Sequence, residues 1–326
     1  MPNAFIILMK KLLQKIGYIL VYTIWYLLSL LPLWVLYRLS DILYLLLVYF
    51  IKYRHIIIIK NLSTSFPKKS NKEIREIEKE FYHWFCDYIV ETIKLMNMSE
   101  VQFKKRMRFV GIEKINEVLS CGQSCAIYLG HYCNWEWVSS LPYWLTPSTQ
   151  CCQLYHPLEN QYFDKLFKDV RELNNSLCIP MQESIRKILR FRQQSKTVVV
   201  GYIADQVPLW HNIHHWVNFL NHDTPVLTGA ERIVKKTDEA CFYGDMHRIK
   251  RGYYKCELKL ITLQPKKCSE WEITDQYFKL LEATIHRDPA LWLWSHNRWK
   301  RTREEFNLRF SEQIKSMETN KKIKQK

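Results

Sequence analysis

The most restrictive feature of this sequence is an uncharged apolar segment near its start. Residues Ile16 to Tyr37 contain no Asp, Glu, Lys or Arg. As one helix the segment would be about 33 Å long, which matches the hydrocarbon core of a bilayer. Its Tyr and Trp residues are of the types that collect at membrane interfaces, and Pro32 could kink the helix. The segment predicts a membrane-attached N-terminal helix, and the alternative is a buried core helix of a soluble protein.

A second apolar run, Ile42 to Ile51, is by itself too short to span a bilayer. Because apolar sequence continues past the first segment and no small-residue cleavage site follows it, a cleaved signal peptide is not expected. Basic residues flank both sides, so their distribution leaves the orientation open. We therefore expect residues 1–55 to form a membrane anchor, residues 56–305 a catalytic domain and residues 306–326 a basic polar tail.

Composition limits the remaining choices. The chain has 326 residues, 48% of them hydrophobic, which is enough for a sizeable core. Its net charge of +16 fits a solvated basic surface, an anionic membrane, an acidic protein partner or nucleic acid. The ten cysteines include no Cys-x-x-Cys pair, so neither a zinc site of common spacing nor a disulfide framework is expected. Reduced thiols in a cytosolic compartment are the simplest interpretation.

Apolar runs alternate with helical patterns through the rest of the chain. Cys125 to Leu129 and residues 197–204 read as buried strands of the parallel-sheet kind, and Gln153 to Tyr155 as a shorter strand. A capping box at Ser70 opens an amphipathic helix. Two later strands, near 241–246 and 253–261, enclose a basic turn. The pattern predicts an α/β fold with a central, mostly parallel sheet flanked by helices.

Polar side chains follow the first of these strands. Gly130, His131 and Asn134 come directly after Leu129, and Glu136 lies five residues beyond His131. That spacing is too long for neighbours on one helix face, so the two side chains could meet only if His131 lies in the turn and Glu136 begins the helix that Asn134 caps. A carboxylate beside an imidazole could fix its tautomer and stabilise its charged form, as a general base requires.

The block Gly130-His131-Tyr132-Cys133-Asn134-Trp135-Glu136-Trp137 resembles the His-x4-Glu/Asp motif of the bacterial lipid A late acyltransferases. The resemblance extends over roughly residues 15 to 300. It implies a glycerolipid-acyltransferase-like α/β fold, a hydrophobic channel for an acyl chain and a membrane-attached N-terminus. It also implies that His131 is the general base and that Glu136 orients it. Cys133, inside the motif, could be imagined as an acyl-carrying nucleophile, but packing is the better interpretation.

Two further blocks carry polar residues that the resemblance makes functional. Arg171 matches an Arg that the family places near the active site, although a cation is also favourable at a helix C-terminus. Asp205 follows the clearest buried strand, as His131 follows another, and matches the family's Asp-Gln/His block. An Asp before a Pro-containing segment is often only a turn former. We expect Asp205 to orient a substrate hydroxyl or to pair with Arg171.

The last informative block runs from Leu291 to Lys300 and is similar to the family's closing Trp-Leu-His-Arg-Arg-Phe-Lys pattern. In a membrane-attached protein, Arg298 and Lys300 would face lipid headgroup phosphates. An aromatic and basic cluster could also stack on and neutralise nucleic acid. The plain alternative is a set of core aromatics with the two cations solvated.

The resemblance implies transfer of a fatty acyl chain from acyl carrier protein to a hydroxyl of a lipid A precursor, without a metal or bound cofactor. The anionic acceptor and the acidic carrier both suit the positive net charge. The implied location is the inner membrane, with the catalytic domain on the cytoplasmic face. Nucleic acid is not an expected partner.

Other functions stay open on the sequence alone. An acyltransferase for another glycolipid, an aminolipid or a glycerol phosphate would use the same His-x4-acid spacing. The glycerol-phosphate group usually has Asp as the acid and a later Phe-Pro-Glu-Gly block, and this chain has neither. A membrane-anchored nucleic-acid binder belongs to a different class, as does an inactive family member with a scaffold role. Neither a Gly-rich phosphate loop nor a Gly-x-Ser-x-Gly elbow is present, which argues against a serine acyl-enzyme.

Overall fold

The computed structural model describes residues 2–172 and 176–311. It begins with two apolar helices, α1 (Pro2–Leu30) and α2 (Leu33–Leu45), and α2 continues into a π-helical turn over Leu46–Ile51. Among the described residues, two helical stretches are long and apolar enough to cross a membrane, Leu12–Leu30 and Leu33–Ile51. The described large apolar side chains of α1, from Met9 onward, are mostly exposed, as they would be if lipid covered them.

This arrangement corrects two expectations. The uncharged segment is not one helix, because the chain bends at Pro32, which has no amide hydrogen and starts α2 instead of continuing α1. The run to Ile51 is also not short, because Arg38 and Asp41 lie within a continuous helix that joins it to Leu33. A salt bridge between those two residues, 3.7 Å long and one turn apart, reduces the cost of carrying both charges.

The remaining elements alternate between helix and strand in most of the chain. The other helices are α3 (His55–Ser65), α4 (Asn71–Leu95), α5 (Glu100–Arg106), α6 (Ile112–Ser120), α7 (Gln161–Glu172), α8 (Ser184–Gln193), α9 (Gly229–Thr237) and α10 (Glu272–Arg287). The strands are β1 (Met107–Val110), β2 (Cys125–Leu129), β3 (Gln150–Tyr155), β4 (Ser176–Pro180), β5 (Val198–Ile203), β6 (Trp216–Phe219), β7 (His222–Pro225), β8 (Ala240–Lys250) and β9 (Tyr253–Thr262). A 3₁₀ helix covers Trp135–Trp144, and the last described helical residues are 303–311. Residues 312–326 of the expected tail lie outside the described residues.

Within the described residues, seven strands form one sheet in the order β1-β9-β8-β2-β5-β3-β4. All neighbours are parallel except the β8–β9 hairpin, and β6 pairs with β7 as a separate antiparallel ribbon. From β2 the chain goes to β3 on one side, whereas from β5 it goes on to β8 on the other side of β2. The connections therefore leave the adjacent strands β2 and β5 in opposite directions, which is where open α/β sheets bind ligands.

The predicted α/β class and mostly parallel sheet are confirmed. Every residue of β2 is buried, as expected for a central strand covered on both faces. The capping box at Ser70 is also present: its hydroxyl accepts from the Glu73 amide while the Glu73 carboxylate accepts from the Ser70 amide. The face of α4 that carries Phe81 and Trp84 is buried in the core, so α4 connects the apolar N-terminal helices to the sheet.

Candidate active site

The candidate site lies beyond the carboxyl ends of β2 and β5. Leu129 pairs with Ile203 as the two strands end, and His131 and Asp205 each follow two residues later. Because alternate residues of a strand share a face, this equal offset brings the two polar side chains to the same side of the sheet edge. Gly130 is required between them, since an added Cβ would lie 2.6 Å from Leu281 Cδ1 and 3.4 Å from Asp205 Oδ2.

Asp205 is the carboxylate that holds His131. Its Oδ1 accepts from His131 Nδ1 at 2.5 Å, and its Oδ2 accepts from the His131 amide and from Trp292 Nε1, both at 2.8 Å. Burial alone would raise the pKa of Asp205, but the charge of His131 and these hydrogen bonds outweigh it and lower that pKa to about 2. Asp205 is therefore ionised at neutral pH and selects the tautomer in which Nε2 of His131 is free to accept a proton.

Glu136, the expected partner of His131, is engaged elsewhere. Its two carboxylate oxygens accept from Arg171 Nε at 3.0 Å and from Arg171 Nη2 at 2.7 Å. Burial would raise the pKa of Glu136, but the adjacent guanidinium more than compensates and lowers it. The expected His131–Glu136 hydrogen bond is thus replaced by a His131–Asp205 bond, and the alternative Asp205–Arg171 pair by a Glu136–Arg171 pair. The first difference arises because β5 lies directly beside β2, and the second because α7 brings Arg171 to the 3₁₀ helix that carries Glu136.

The turn between β2 and the 3₁₀ helix is fixed by the segment after α10. The Cys133 amide donates to the Leu291 carbonyl at 2.7 Å, and the Leu293 amide donates to the His131 carbonyl at 3.1 Å. These bonds support Cys133 at φ +57°, a backbone region that non-glycine residues seldom adopt. Asn134 then caps the helix as predicted, because its side chain accepts from the Trp137 amide at 3.1 Å. Since the Cys133 thiol is buried and burial raises its pKa, it has a packing role and is a poor nucleophile.

A cavity of about 780 Å³ opens beside His131. Its floor is one face of the sheet, formed by Leu129 and Ile203 near His131 and by Ile127, Gly201 and Val199 farther along. From residue 205 back to residue 199 the strands cover about 20 Å. The cavity is therefore long, mostly apolar along its floor, and polar at the end where His131, Glu136 and Arg171 line it.

Two cavity-lining neighbours of His131 were not identified as site residues from the sequence. Gln206 places its Nε2 3.2 Å from His131 Nε2, so the amide donates to the imidazole lone pair. Trp135 packs edge-on to the imidazole, with ring centroids 5.1 Å apart, and stacks on Tyr88 of α4 at 4.1 Å. The position of Gln206 directly after Asp205 was the available signal, because the residue after a strand-end ligand often lies in the same site.

The structure of the last block, Leu291 to Lys300, differs from the expectation. Arg298 is only 1% exposed, so it cannot face lipid headgroups or solvent. Its Nη2 donates to the Pro225 carbonyl at 2.8 Å, and its Nε and Nη1 have no hydrogen-bond partner among the described residues. Burial lowers the pKa of Arg298 to about 10, which still leaves it charged at neutral pH. Lys300 is exposed, as expected. Because Trp292 and Trp294 are also buried, this block is not a stacking surface for nucleic acid.

One group in the described residues has side chains of the kinds that bind metals, and it lies on β8 and β9. Ligand atoms of Asp245, His247 and Glu257 lie within 4.8 Å of one another. Asp245 already accepts from Arg287 at 2.8 and 2.9 Å and from Lys259 at 2.7 Å. These cations supply the positive charge that the carboxylate requires, so the cluster is explained as a buried ion-pair network.

The fold and site define a class of protein in which a histidine held by a buried carboxylate faces a long apolar cavity at the ends of parallel strands. Residues 8–301 match the family model described as bacterial lipid A biosynthesis acyltransferase. The chain belongs to that family, and its reaction is acyl transfer in lipid A synthesis. No curated protein sequence matches the chain.

Proposed function

We propose that this protein transfers a fatty acyl chain from the thioester of acyl carrier protein to a hydroxyl of a lipid A precursor, at the cytoplasmic face of the inner membrane. The observation that carries the proposal is the position of His131, whose Nδ1 is held by Asp205 and whose Nε2 lies at the polar end of the cavity. A base in that position can take the proton of a hydroxyl bound at the polar end of the cavity, while the apolar part of the cavity holds the acyl chain.

His131 is the general base in this scheme. Its Nε2 takes the proton of the acceptor hydroxyl while Nδ1–H donates to Asp205, which stabilises the imidazolium that forms. The acceptor oxygen attacks the thioester carbonyl carbon and gives a tetrahedral oxyanion. When the carbon–sulfur bond breaks, the departing thiolate takes the proton back from Nε2. The products are the acylated lipid and the free carrier thiol, and no covalent acyl-enzyme is formed.

Gln206 is the proposed oxyanion donor. Its amide lies 3.2 Å from His131 Nε2 and lines the same cavity, so it is close to any carbonyl attacked by an oxygen bound at that nitrogen. When the acceptor hydroxyl takes over Nε2, the Gln206 N–H groups become free to donate to the developing oxyanion. Arg171 is a weaker candidate, because Glu136 already accepts from its Nε and Nη2.

Glu136 and Arg171 have a different proposed role. Their bidentate pair is fixed in the cavity wall, with Glu136 6% and Arg171 26% exposed. The pairing leaves Arg171 Nη1 for a polar group of the substrate, which supports Arg171 as a substrate-binding residue. Glu136 then acts on the reaction through Arg171 and not through His131. Asp205 likewise acts through His131 and does not bind the acceptor hydroxyl itself.

The proposal is tested by acyl transfer in membranes that contain the full chain. Acyl carrier protein and coenzyme A thioesters of several lengths would be supplied with a tetra-acylated lipid A precursor, and the product read by mass spectrometry. We expect one added chain, with the carrier protein as the better donor, and loss of that product in His131→Ala. No product on lipid A from a folded protein would move the assignment to another glycolipid, an aminolipid or a glycerol phosphate. Full activity in His131→Ala would refute the mechanism.

A further inference from the structure

A second cavity lies where α2 and its π-helical turn meet α4. It has a volume of about 260 Å³, and none of its lining residues belongs to the catalytic cavity. Three of those residues are cations, Lys52, Arg75 and Lys79. Its apolar side is formed by Tyr44, Val48 and Tyr82, so the cavity combines positive charge with an apolar wall.

The cations of this cavity lack carboxylate partners. Among the described residues, no ion pair or hydrogen bond involves the side chain of Lys52, Arg75 or Lys79. The cavity contains one carboxylate, Glu78, and His55 Nδ1 lies 2.6 Å from it. Some basic side chains elsewhere, such as Lys69 and Lys104, do pair with a nearby acid. The three unpaired cations therefore leave the cavity with a positive potential that an anion would neutralise.

The position of Lys52 identifies the kind of anion. The second stretch that is long and apolar enough to cross a membrane ends at Ile51, and Lys52 is the first residue after it. If this stretch is embedded in the membrane, Lys52 would lie at headgroup depth. On either side of Lys52 the chain exposes large apolar side chains, with Phe50 79% and Ile56 81% exposed. Arg75 and Lys79 are one turn apart on α4 and line the same cavity as Lys52.

We propose that this cavity binds the phosphate of an anionic phospholipid. The headgroup phosphate would lie among Lys52, Arg75 and Lys79, while the acyl chains would run along the apolar surface of α2 and its π-helical turn. Basic pockets beside membrane helices recognise anionic lipid headgroups in this way. The site is distinct from acyl transfer, because it shares no lining residue with the cavity at His131 and a lipid bound there would not be consumed. It would fix the depth and tilt of α4 relative to the membrane.

The test measures lipid binding by the full chain in detergent, with native mass spectrometry of phosphatidylglycerol titrations. The site variant is Lys52→Gln/Arg75→Gln/Lys79→Gln. The matched control, Lys105→Gln/Arg108→Gln/Lys236→Gln, removes the same charge from unpaired cations elsewhere. Since each cation near an anionic lipid contributes about fivefold in affinity, the site variant should bind on the order of 100-fold more weakly and the control like the wild type.

Three comparisons decide the interpretation. Phosphatidylcholine should bind much more weakly than phosphatidylglycerol, because it has no net negative charge. Inorganic phosphate that competes as well as the lipid would show a free-phosphate site and overturn the lipid assignment. Equal loss in the site variant and the control would show a general charge effect and also overturn it. If the site variant does not fold, Lys52→Arg/Arg75→Lys/Lys79→Arg keeps the charge, and loss of binding in that folded variant would contradict the proposal.

Discussion

Two buried carboxylates lie near the polar end of the cavity, Glu136 in its lining and Asp205 bound to the lining residue His131, and they are neutralised in different ways. Asp205 pairs with an imidazole that can gain or lose a proton, whereas Glu136 pairs with a guanidinium that stays charged. His131 keeps a second nitrogen for the cavity, but Arg171 uses two of its three nitrogens on Glu136. In the proposed mechanism, His131 with Asp205 therefore moves protons, whereas Glu136 with Arg171 holds a fixed charge.

The same difference predicts which substitutions affect mainly catalysis and which also affect stability. If Asp205 is replaced by a neutral residue, the neutral base form of His131 needs no counterion, so no buried ion is left without a partner. If Glu136 is removed, the largely buried Arg171 keeps its charge and has no counterion. Substitutions at Asp205 should therefore act mainly on the reaction, and substitutions at Glu136 should act on the fold as well.

The largest expected effect is that of Asp205→Asn. The amide would donate to His131 Nδ1 and so force the proton onto Nε2, which removes the base from the cavity. We expect the rate constant for acyl transfer to fall on the order of 10⁴-fold, with little change in melting temperature. Steady-state kinetics and a thermal melt of the same preparation measure both quantities. A rate within tenfold of the wild type would exclude Asp205 as the residue that orients His131.

Glu136→Ala should have the next largest effect, and it should appear in stability. An uncompensated Arg171 in a mostly buried site should cost about 3 kcal/mol of the free energy of unfolding, less than a fully buried ion would because Arg171 is 26% exposed. Denaturant unfolding in detergent measures this loss. The double variant Glu136→Ala/Arg171→Ala removes both charges and should recover part of the stability. A double variant no more stable than the single one would show that the pair is not what holds this wall.

Gln206→Leu should lower the rate constant for acyl transfer without changing the proton transfer to His131. Loss of one oxyanion donor typically costs about 10²- to 10³-fold in kcat, and we expect a loss in that range with KM little changed. The pH dependence of kcat separates this role from an effect on the basicity of His131. If Gln206 only modulates His131, the profile will shift along the pH axis and the rate at its plateau will stay near the wild-type value.

Much of the framework was predictable because it depends on local patterns. The uninterrupted apolar residues of β2 and β5 indicated buried parallel strands, and Ser70 and Asn134 marked helix starts through side chains that reach only three residues ahead. The contact between His131 and Asp205 spans 74 residues and depends on the neighbourhood of β2 and β5. The chain visits β3 and β4 between those strands, so no local signal revealed it.

The contacts that differ from the expectation have the same origin. Glu136 was chosen by its distance along the chain, but its carboxylate is satisfied by Arg171 from α7, which only the tertiary fold brings near. Arg298 was expected to face lipid headgroup phosphates, with a solvated cation as the alternative, whereas the chain buries it against the Pro225 carbonyl. The end of the second strand was predicted at residue 204, so the equal two-residue offset of His131 and Asp205 was not visible before β5 was seen to end at Ile203. The offset becomes informative only when the two strands are known to be neighbours.

A third buried carboxylate, Glu239, extends the comparison because it has no cation. Its Oε2 accepts from Tyr202 and Thr237, and its Oε1 has no partner among the described residues. Burial raises the pKa of Glu239 to about 7, although the two hydroxyl hydrogen bonds act in the opposite direction. The folded state thus holds a proton that the unfolded state releases, so stability falls as pH rises from about 4.5 to about 7 and stays lower above that.

Glu239→Gln should remove this dependence, because the amide is neutral at every pH and has nearly the same shape. We expect equal stability of variant and wild type at pH 5 and a gain of about 1–3 kcal/mol in the variant at pH 8.5. Thermal unfolding at both values tests it, with Glu113→Gln on the exposed side of α6 as the control that should change neither. A gain of the same size at pH 5 would point to packing. No gain in stability at pH 8.5 would show that water or another group compensates the charge of Glu239. In that case a buried carboxylate of this protein does not need a cation of the kind that Asp205 and Glu136 each have.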